Sequence, residues 1–299
     1  MNTKHYIAWM TMATASMAAC TIDDQQAFVG QPINVAISLD SEGSTRTATA
    51  MTTGTAYLIG NSNPVRAYTW SGTAFTSDAP LIWTAATMDI YGYYADGGQT
   101  AVASPPSYSM LGKTANASFL AGAAQTTFSQ TSQEPINLTL RQQLAYISVT
   151  VKADGTPTLT NAKLGNGMLY TSGTFVNSFE TDSHSSAYGY GNGGNNGSGW
   201  TVSGTATTID MITNPTKVNT YYARIIPQTI GTSKPFFTVS IDGFNIGFTL
   251  AEETTFRAGC KYDLVAEHEV SYTLYVDETI TVSDFTSGTS GSFTDVEAY

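Results

Sequence analysis

Cysteine is almost missing: the 299 residues hold only Cys20 and Cys260. Two cysteines so far apart exclude a disulfide-stapled scaffold, which relies on several closely spaced pairs. Histidine is as scarce, with His5, His184 and His268 the whole set of 3. No H-x-H, H-E-x-x-H or clustered Cys/His spacing occurs, so no metal is expected. No G-x-S-x-G elbow is present either, and Cys260 has no neighbouring histidine to act as its base. Charged residues make up 12%, net charge is -11, and no basic cluster exists. A nucleic-acid partner is therefore disfavoured, because neutralising phosphates needs a positive surface. Apolar residues at i, i+3, i+4 and i+7 are also missing over any long segment, which argues against a mostly helical fold. The adjacent acids Glu252–Glu253 and Asp277–Glu278 face opposite ways on a strand and read as solvated turn acids, not as a general acid/base pair. These absences together predict no catalytic residues and no cofactor.

What is present favours strands. Hydrophobic residues are 41%, Tyr numbers 17, and Gly, Ser and Thr are abundant. The length suits two ordinary domains, and the hydrophobic share is enough to build cores. The key stretch runs from Gln31 to Ala50. Ile33, Val35, Ile37 and Leu39 alternate with Asn34, Ala36, Ser38 and Asp40, the period-two pattern of a strand with one face on a core. Ser, Thr and Gly around Arg46 then read as an exposed connector that a protease can cut.

The N-terminus reads as a targeting segment. Lys4 precedes a short apolar stretch, Tyr6 to Met17, that ends in Ala18-Ala19-Cys20. It is too short to span a bilayer as a helix. Small residues before a cysteine are similar to a bacterial lipoprotein signal, which implies cleavage before Cys20 and lipidation of its sulfur. The alternative is an ordinary secretory signal in which this cysteine is incidental. Asp23 and Asp24 look like the acidic export signal of surface-exposed lipoproteins in Gram-negative outer membranes.

Along the chain, Ala56 to Ile59 is a short strand, and Arg66 to Phe75 a hairpin around Ser71-Gly72. Pro80 to Ala95 is the most aromatic stretch and suits a buried strand; Trp70 and Trp83 sit in strand patterns and read as core, the alternative being a place in a platform that stacks sugar rings. Residues 99–133 read as a long surface excursion with at most one short strand. In Ile136 to Lys152 the apolar parity of Ile136, Leu138 and Leu140 flips by Ile147, Val149 and Val151, which requires a bulge or bend near Arg141 to Gln143. The turn-forming Ala153-Asp-Gly-Thr-Pro157 is the expected domain boundary. Between Gly189 and Gly199 glycine dominates, so no core forms there; Tyr188, Tyr190 and Trp200 bracket this loop. These aromatics either pin the loop ends or form a stacking platform for sugar rings. Phe237 to Leu250 is a hairpin turning at Asp242-Gly243, which tolerates the positive φ of a type I′ turn. From Tyr262 the alternation runs through Val270, Tyr272, Leu274 and Val276, then Ile280 and Val282, as two strands or one that bends. Fourteen or more short strands in all favour two β-sandwiches.

Several of these stretches together resemble the fimbrillin (Mfa-like) family of Gram-negative type V pilus subunits. They are the lipobox at Cys20, the strand and arginine from Ile33 to Arg46, and LIWTAATMDIYGYYA at 81–95. INLTLRQQLAYISVTVK at 136–152, ARIIPQT at 223–229 and FTLAEETTFRAGCKYDL at 248–264 complete the series. Gln142 stands near where many members carry a histidine. The resemblance implies an all-β chain of two transthyretin-like Greek-key sandwich domains. It also implies secretion as a lipoprotein and assembly by strand exchange at the outer membrane and cell surface. In this reading 1–19 is the signal peptide and 20–46 a propeptide carrying the removable strand, with the protease cut between Arg46 and Thr47. Residues 47–155 form the N-terminal domain, and 156–299 the C-terminal domain. The expected partners are other pilus subunits, an arginine-specific processing protease, the outer membrane through the lipid, and a host or bacterial surface receptor. Val270 to Val282 supplies the expected donor strand. The competing expectation is an uncleaved surface lipoprotein that binds glycans through Tyr188, Tyr190 and Trp200.

Overall fold

A computed structural model describes residues 29–39, 49–50, 54–60, 63–95, 107–110, 118–128, 134–153, 155–176, 199–268 and 273–281. Among these residues the chain is all strand, with no helix. The first half carries β1 (Val35–Leu39), β2 (Thr49–Ala50), β3 (Thr55–Gly60), β4 (Arg66–Trp70) and β5 (Phe75–Thr76). It continues with β6 (Thr87–Ala95), β7 (Ser107–Ser109), β8 (Phe119–Thr127) and β9 (Ile136–Gln142). The second half opens with β10 (Ala145–Lys152), β11 (Leu159–Phe175), β12 (Trp200–Asp210), β13 (Ile212–Thr213) and β14 (Thr220–Ile225). Then come β15 (Gln228–Ile230), β16 (Phe237–Ile241), β17 (Phe244–Leu250), β18 (Thr254–Phe256), β19 (Cys260–Glu267) and β20 (Thr273–Thr281).

These strands form two large sheets. The first has the order β2-β1-β9-β8-β6-β3-β4-β5. The second runs β12-β11-β16-β17-β20-β19-β10-β14-β13, with β7 also paired to β11, while β15 and β18 pair alone. Each large sheet has its own apolar cluster. Ile33, Leu58, Leu81, Met88, Ile90 and Leu138 are central to the first, and Ile147, Leu164, Phe237, Phe248 and Leu264 to the second. A third cluster joins them through Phe119, Tyr108, Phe175 and Trp200.

The parity flip expected near Arg141 to Gln143 is the change of sheet: β9 ends at Gln142 in the first sheet, and β10 begins at Ala145 in the second. The buried Gln142 side chain stabilises this corner. Its Oε1 accepts the backbone N–H groups of Phe119 and Leu144, both at 3.2 Å. The change therefore falls ahead of the 155/156 division expected from the turn, and β7 from the first half already lies on the second sheet. The Asp242-Gly243 hairpin turns with φ of 50° and 89°, the left-handed values that a type I′ turn requires.

The surface excursion expected over 99–133 is corrected. β8 runs antiparallel along the whole of β6 and lies between β6 and β9 inside the first sheet. Its Ala- and Gly-rich sequence hides it from a search for large alternating side chains. Gly122 is needed because β9 passes close by. A Cβ on Gly122 would collide with the Thr139 carbonyl, and one on Gly92, its partner across the strands, would meet Leu138 and Leu58.

The groove that holds the N-terminal strand

The expected strand at the N-terminus forms, and it lies inside the sheet. β1 pairs in parallel with β9 from Val35↔Ile136 to Leu39↔Leu140. On its other side it pairs antiparallel with β2, Ser38 opposite Ala50 and Leu39 opposite Thr49. Ile33, Val35 and Ile37 retain 2%, 6% and 3% of their exposure and enter the first core against Leu58, Leu81, Trp83, Leu138 and Leu140. Leu39 keeps the register on β9; its side chain lies outside the described residues.

The segment ahead of β1 is held by a second strip of backbone bonds, not by β9. Gly30 N–H donates to the Trp83 carbonyl at 3.0 Å, Trp83 N–H to that of Gln31 at 2.9 Å, and Ile33 N–H to that of Leu81 at 2.8 Å. The chain crosses over at Asn34, whose carbonyl accepts Ile136 N–H at 2.9 Å. Ser38 and Thr139 exchange a hydroxyl bond of 3.0 Å further along. Tyr68 ties the first strip together from below. Its hydroxyl accepts Leu81 N–H at 2.8 Å and donates to the Ile33 carbonyl at 3.2 Å. Burial raises the Tyr68 phenol above its ordinary value, so the neutral donor persists throughout the physiological range. Sequence reasoning missed this role because nothing in the expected hairpin from Arg66 to Phe75 marks the Tyr68 hydroxyl as a bridge to a distant segment. It also missed β2, whose two residues have no apolar pattern.

The site is therefore a slot between two strands with an apolar floor. Its chemistry is the capture of an extended chain: backbone groups on both sides, and buried seats for alternate side chains. The connector that carries Arg46 and Thr47 lies outside the described residues, as does Cys20.

The remaining expected residues fall elsewhere. Leu274, Val276 and Ile280 stand on β20, which pairs antiparallel with β19 and in parallel with β17. The proposed donor stretch thus occupies an interior position of its own sheet here. Val270, Tyr272 and Val282 lie outside the described residues, as do Tyr188 and Tyr190. Trp200 corrects the expected sugar platform. It is 1% exposed, its ring packs 4.8 Å from Phe119 and 5.1 Å from Phe175, and its indole N–H donates to the Gln143 carbonyl at 2.8 Å. The loop's aromatic end is pinned into the junction between the sheets, with no face left for a sugar ring. Trp200→Ala is expected to cost about 3–5 kcal/mol of stability, the range for truncating a buried large aromatic. Denaturant titration measures this loss, and a variant as stable as the parent would contradict the burial.

Cys260 is buried on β19, Glu252 and Glu253 are exposed, and His268 donates its backbone N–H to the Lys152 carbonyl. Among the described residues no group of three or more His, Cys, Asp or Glu is arranged to hold a metal ion. No helix among them is long and apolar enough to cross a membrane.

Comparison with known proteins gives a family match across most of the chain: the family described as fimbrillin-like matches residues 23–284. Among solved structures, a proposed cell adhesion protein of Bacteroides ovatus aligns with a TM-score of 0.56 at 13% identity, covering 84% of this chain and 98% of the other. A proposed cell adhesion protein of Bacteroides uniformis aligns with a TM-score of 0.54 at 15% identity, covering 84% and 98%. At these identities the likeness is one of fold. No curated protein matches the chain.

Proposed function

The chain belongs to the fimbrillin-like family, and from that premise we propose that it is a subunit of a cell-surface pilus, serving adhesion and polymerising by donor-strand exchange. The observation that carries this reading is the slot. A strand with buried Ile33, Val35 and Ile37 sits inside the first sheet, joined to the rest through an arginine-bearing connector. An arginine-specific protease cuts after Arg46. The strand, no longer covalently held, then gives way to one from a neighbouring subunit. The vacant slot exposes apolar surface and the unpaired edge of β9, and the incoming strand covers both. Insertion of this head-to-tail kind does not close on itself, so it yields a filament. The two sheets, in this reading, belong to two transthyretin-like sandwiches.

The donor must present apolar side chains at alternate positions over about seven residues, to match those of Ile33 to Leu39. Val270, Tyr272, Leu274 and Val276 carry that pattern in this chain. Donating them would withdraw β20 from between β17 and β19 and open the donor's own core. We assign this chain's slot as the acceptor and the stretch from Val270 to Val282 of the next copy as the donor, so that β20 leaves its sheet as the acceptor slot fills.

Before the cut, the chain is a lipoprotein precursor held at the outer membrane through Cys20. More than one acyl chain anchors it, since a single chain binds only marginally. N-terminal analysis of the protein from membranes and from sheared fibres tests the whole sequence of events. The membrane form is expected to begin at an acylated Cys20 and the fibre form at Thr47. A fibre form that still begins at Cys20 would overturn the exchange.

A further inference from the structure

We infer that β2 is a clasp that closes over whichever strand occupies the slot, and that the cut after Arg46 is placed to retain it. This inference rests on the strand-exchange reading above. β1 is not an edge strand: it lies between β9 and β2, and β1 is the partner to which β2 is bonded. Arg46 separates them, with β1 ending at Leu39 before it and β2 starting at Thr49 after it. One cut therefore turns β1 into a leaving group while β2 stays as part of the new N-terminal segment.

The clasp also stays close. Gly54 is bonded to the body through the Trp70 N–H, which donates to its carbonyl at 3.1 Å. With so few residues between Ala50 and Gly54, β2 reaches at most about 14 Å from that anchor. A segment on so short a tether acts at an effective concentration in the millimolar range, far above that of any free competitor. The occupant gains backbone bonds on both sides, where an edge strand would gain them on one. The clasp recognises backbone only, since Thr49 and Ala50 are small. It serves the outgoing strand and an incoming strand of a second subunit alike, provided the newcomer runs in the direction of β1, parallel to β9 and antiparallel to β2.

The test uses the full chain nicked after Arg46 by an arginine-specific protease, with release of the N-terminal fragment followed by size-exclusion chromatography and mass spectrometry. Thr49→Pro/Ala50→Pro removes both backbone donors of β2. Release from the nicked variant is expected to be about tenfold faster than from the parent, and its polymers should come apart at lower denaturant concentration. Equal release rates would overturn the clasp, while polymers forming normally would leave strand exchange standing. A parent chain that is nicked but never polymerises would overturn exchange and the clasp's role in it together. Ser38→Cys/Ala50→Cys guards against a proline variant that misfolds. Its residues are direct partners across β1 and β2. Under oxidation the nicked fragment should stay attached until reductant is added, and release unaffected by oxidation would place β2 away from β1.

Discussion

Arg46→Ala is expected to abolish fibre formation and leave intact, monomeric precursor on the membrane. The reason is a comparison of magnitudes. Burying Ile33, Val35 and Ile37 contributes about 4.5–9 kcal/mol of gross stabilisation, at about 1.5–3 kcal/mol for each aliphatic side chain. That is on the scale of a whole domain's net stability, so β1 does not leave unaided. While the connector is whole, β1 also competes from a tether, at an effective concentration in the millimolar range. A donor strand of equal affinity at micromolar concentration then faces a disadvantage of roughly a thousandfold, or about 4 kcal/mol. Cutting removes that advantage, because the released fragment dilutes away. The measurement is the high-mass ladder of unboiled surface extract on a denaturing gel. An unchanged ladder from Arg46→Ala would sink the cleavage trigger.

Ile37→Asp should eject the strand without any cut. Ile37 is 3% exposed and faces the apolar first core. A carboxylate there has no partner, and an unpaired buried charge typically costs several kcal/mol, comparable to the burial that holds β1 in place. The uncut variant is expected to bind a hydrophobic dye and to lose about 3–5 kcal/mol of stability at neutral pH, with partial recovery in acid. The sign follows from linkage. Burial raises the folded-state pKa of the introduced carboxyl above its unfolded value of about 4, so the native state binds more protons between the two. Stability therefore falls as pH rises through that window and is regained as pH drops towards about 4. A loss that does not depend on pH would point to steric disruption in place of a buried charge. Chemical denaturation from about pH 4 to about pH 7, the window in which a buried carboxyl changes charge, separates the two when run beside the parent chain.

What the sequence could determine by itself was local. Period two in Ile33 to Leu39 showed which face of that strand is apolar, because successive side chains on a strand point to opposite sides. The flip of parity after Leu140 required a bend, and the bend is the corner where the chain changes sheet. Asp242-Gly243 announced its hairpin through the positive φ that those residues tolerate. Tertiary structure decided who pairs with whom. β8 is invisible to periodicity because its small residues leave no pattern, and close passage by β9 requires glycine at Gly122. Trp200 borders a glycine-rich loop in sequence, yet the clustering of Phe119, Tyr108 and Phe175 makes it core. Alternation marked Leu274 and Val276 as strand residues but could not tell a free donor from β20 bonded between β17 and β19. The slot itself is the clearest case: its walls, β2 and β9, both follow β1 in the chain, one close behind it and the other far downstream. A pattern of side chains records which face seeks a core; the backbone bonds that make a strand removable, and the clasp beside it, come only from non-local pairing.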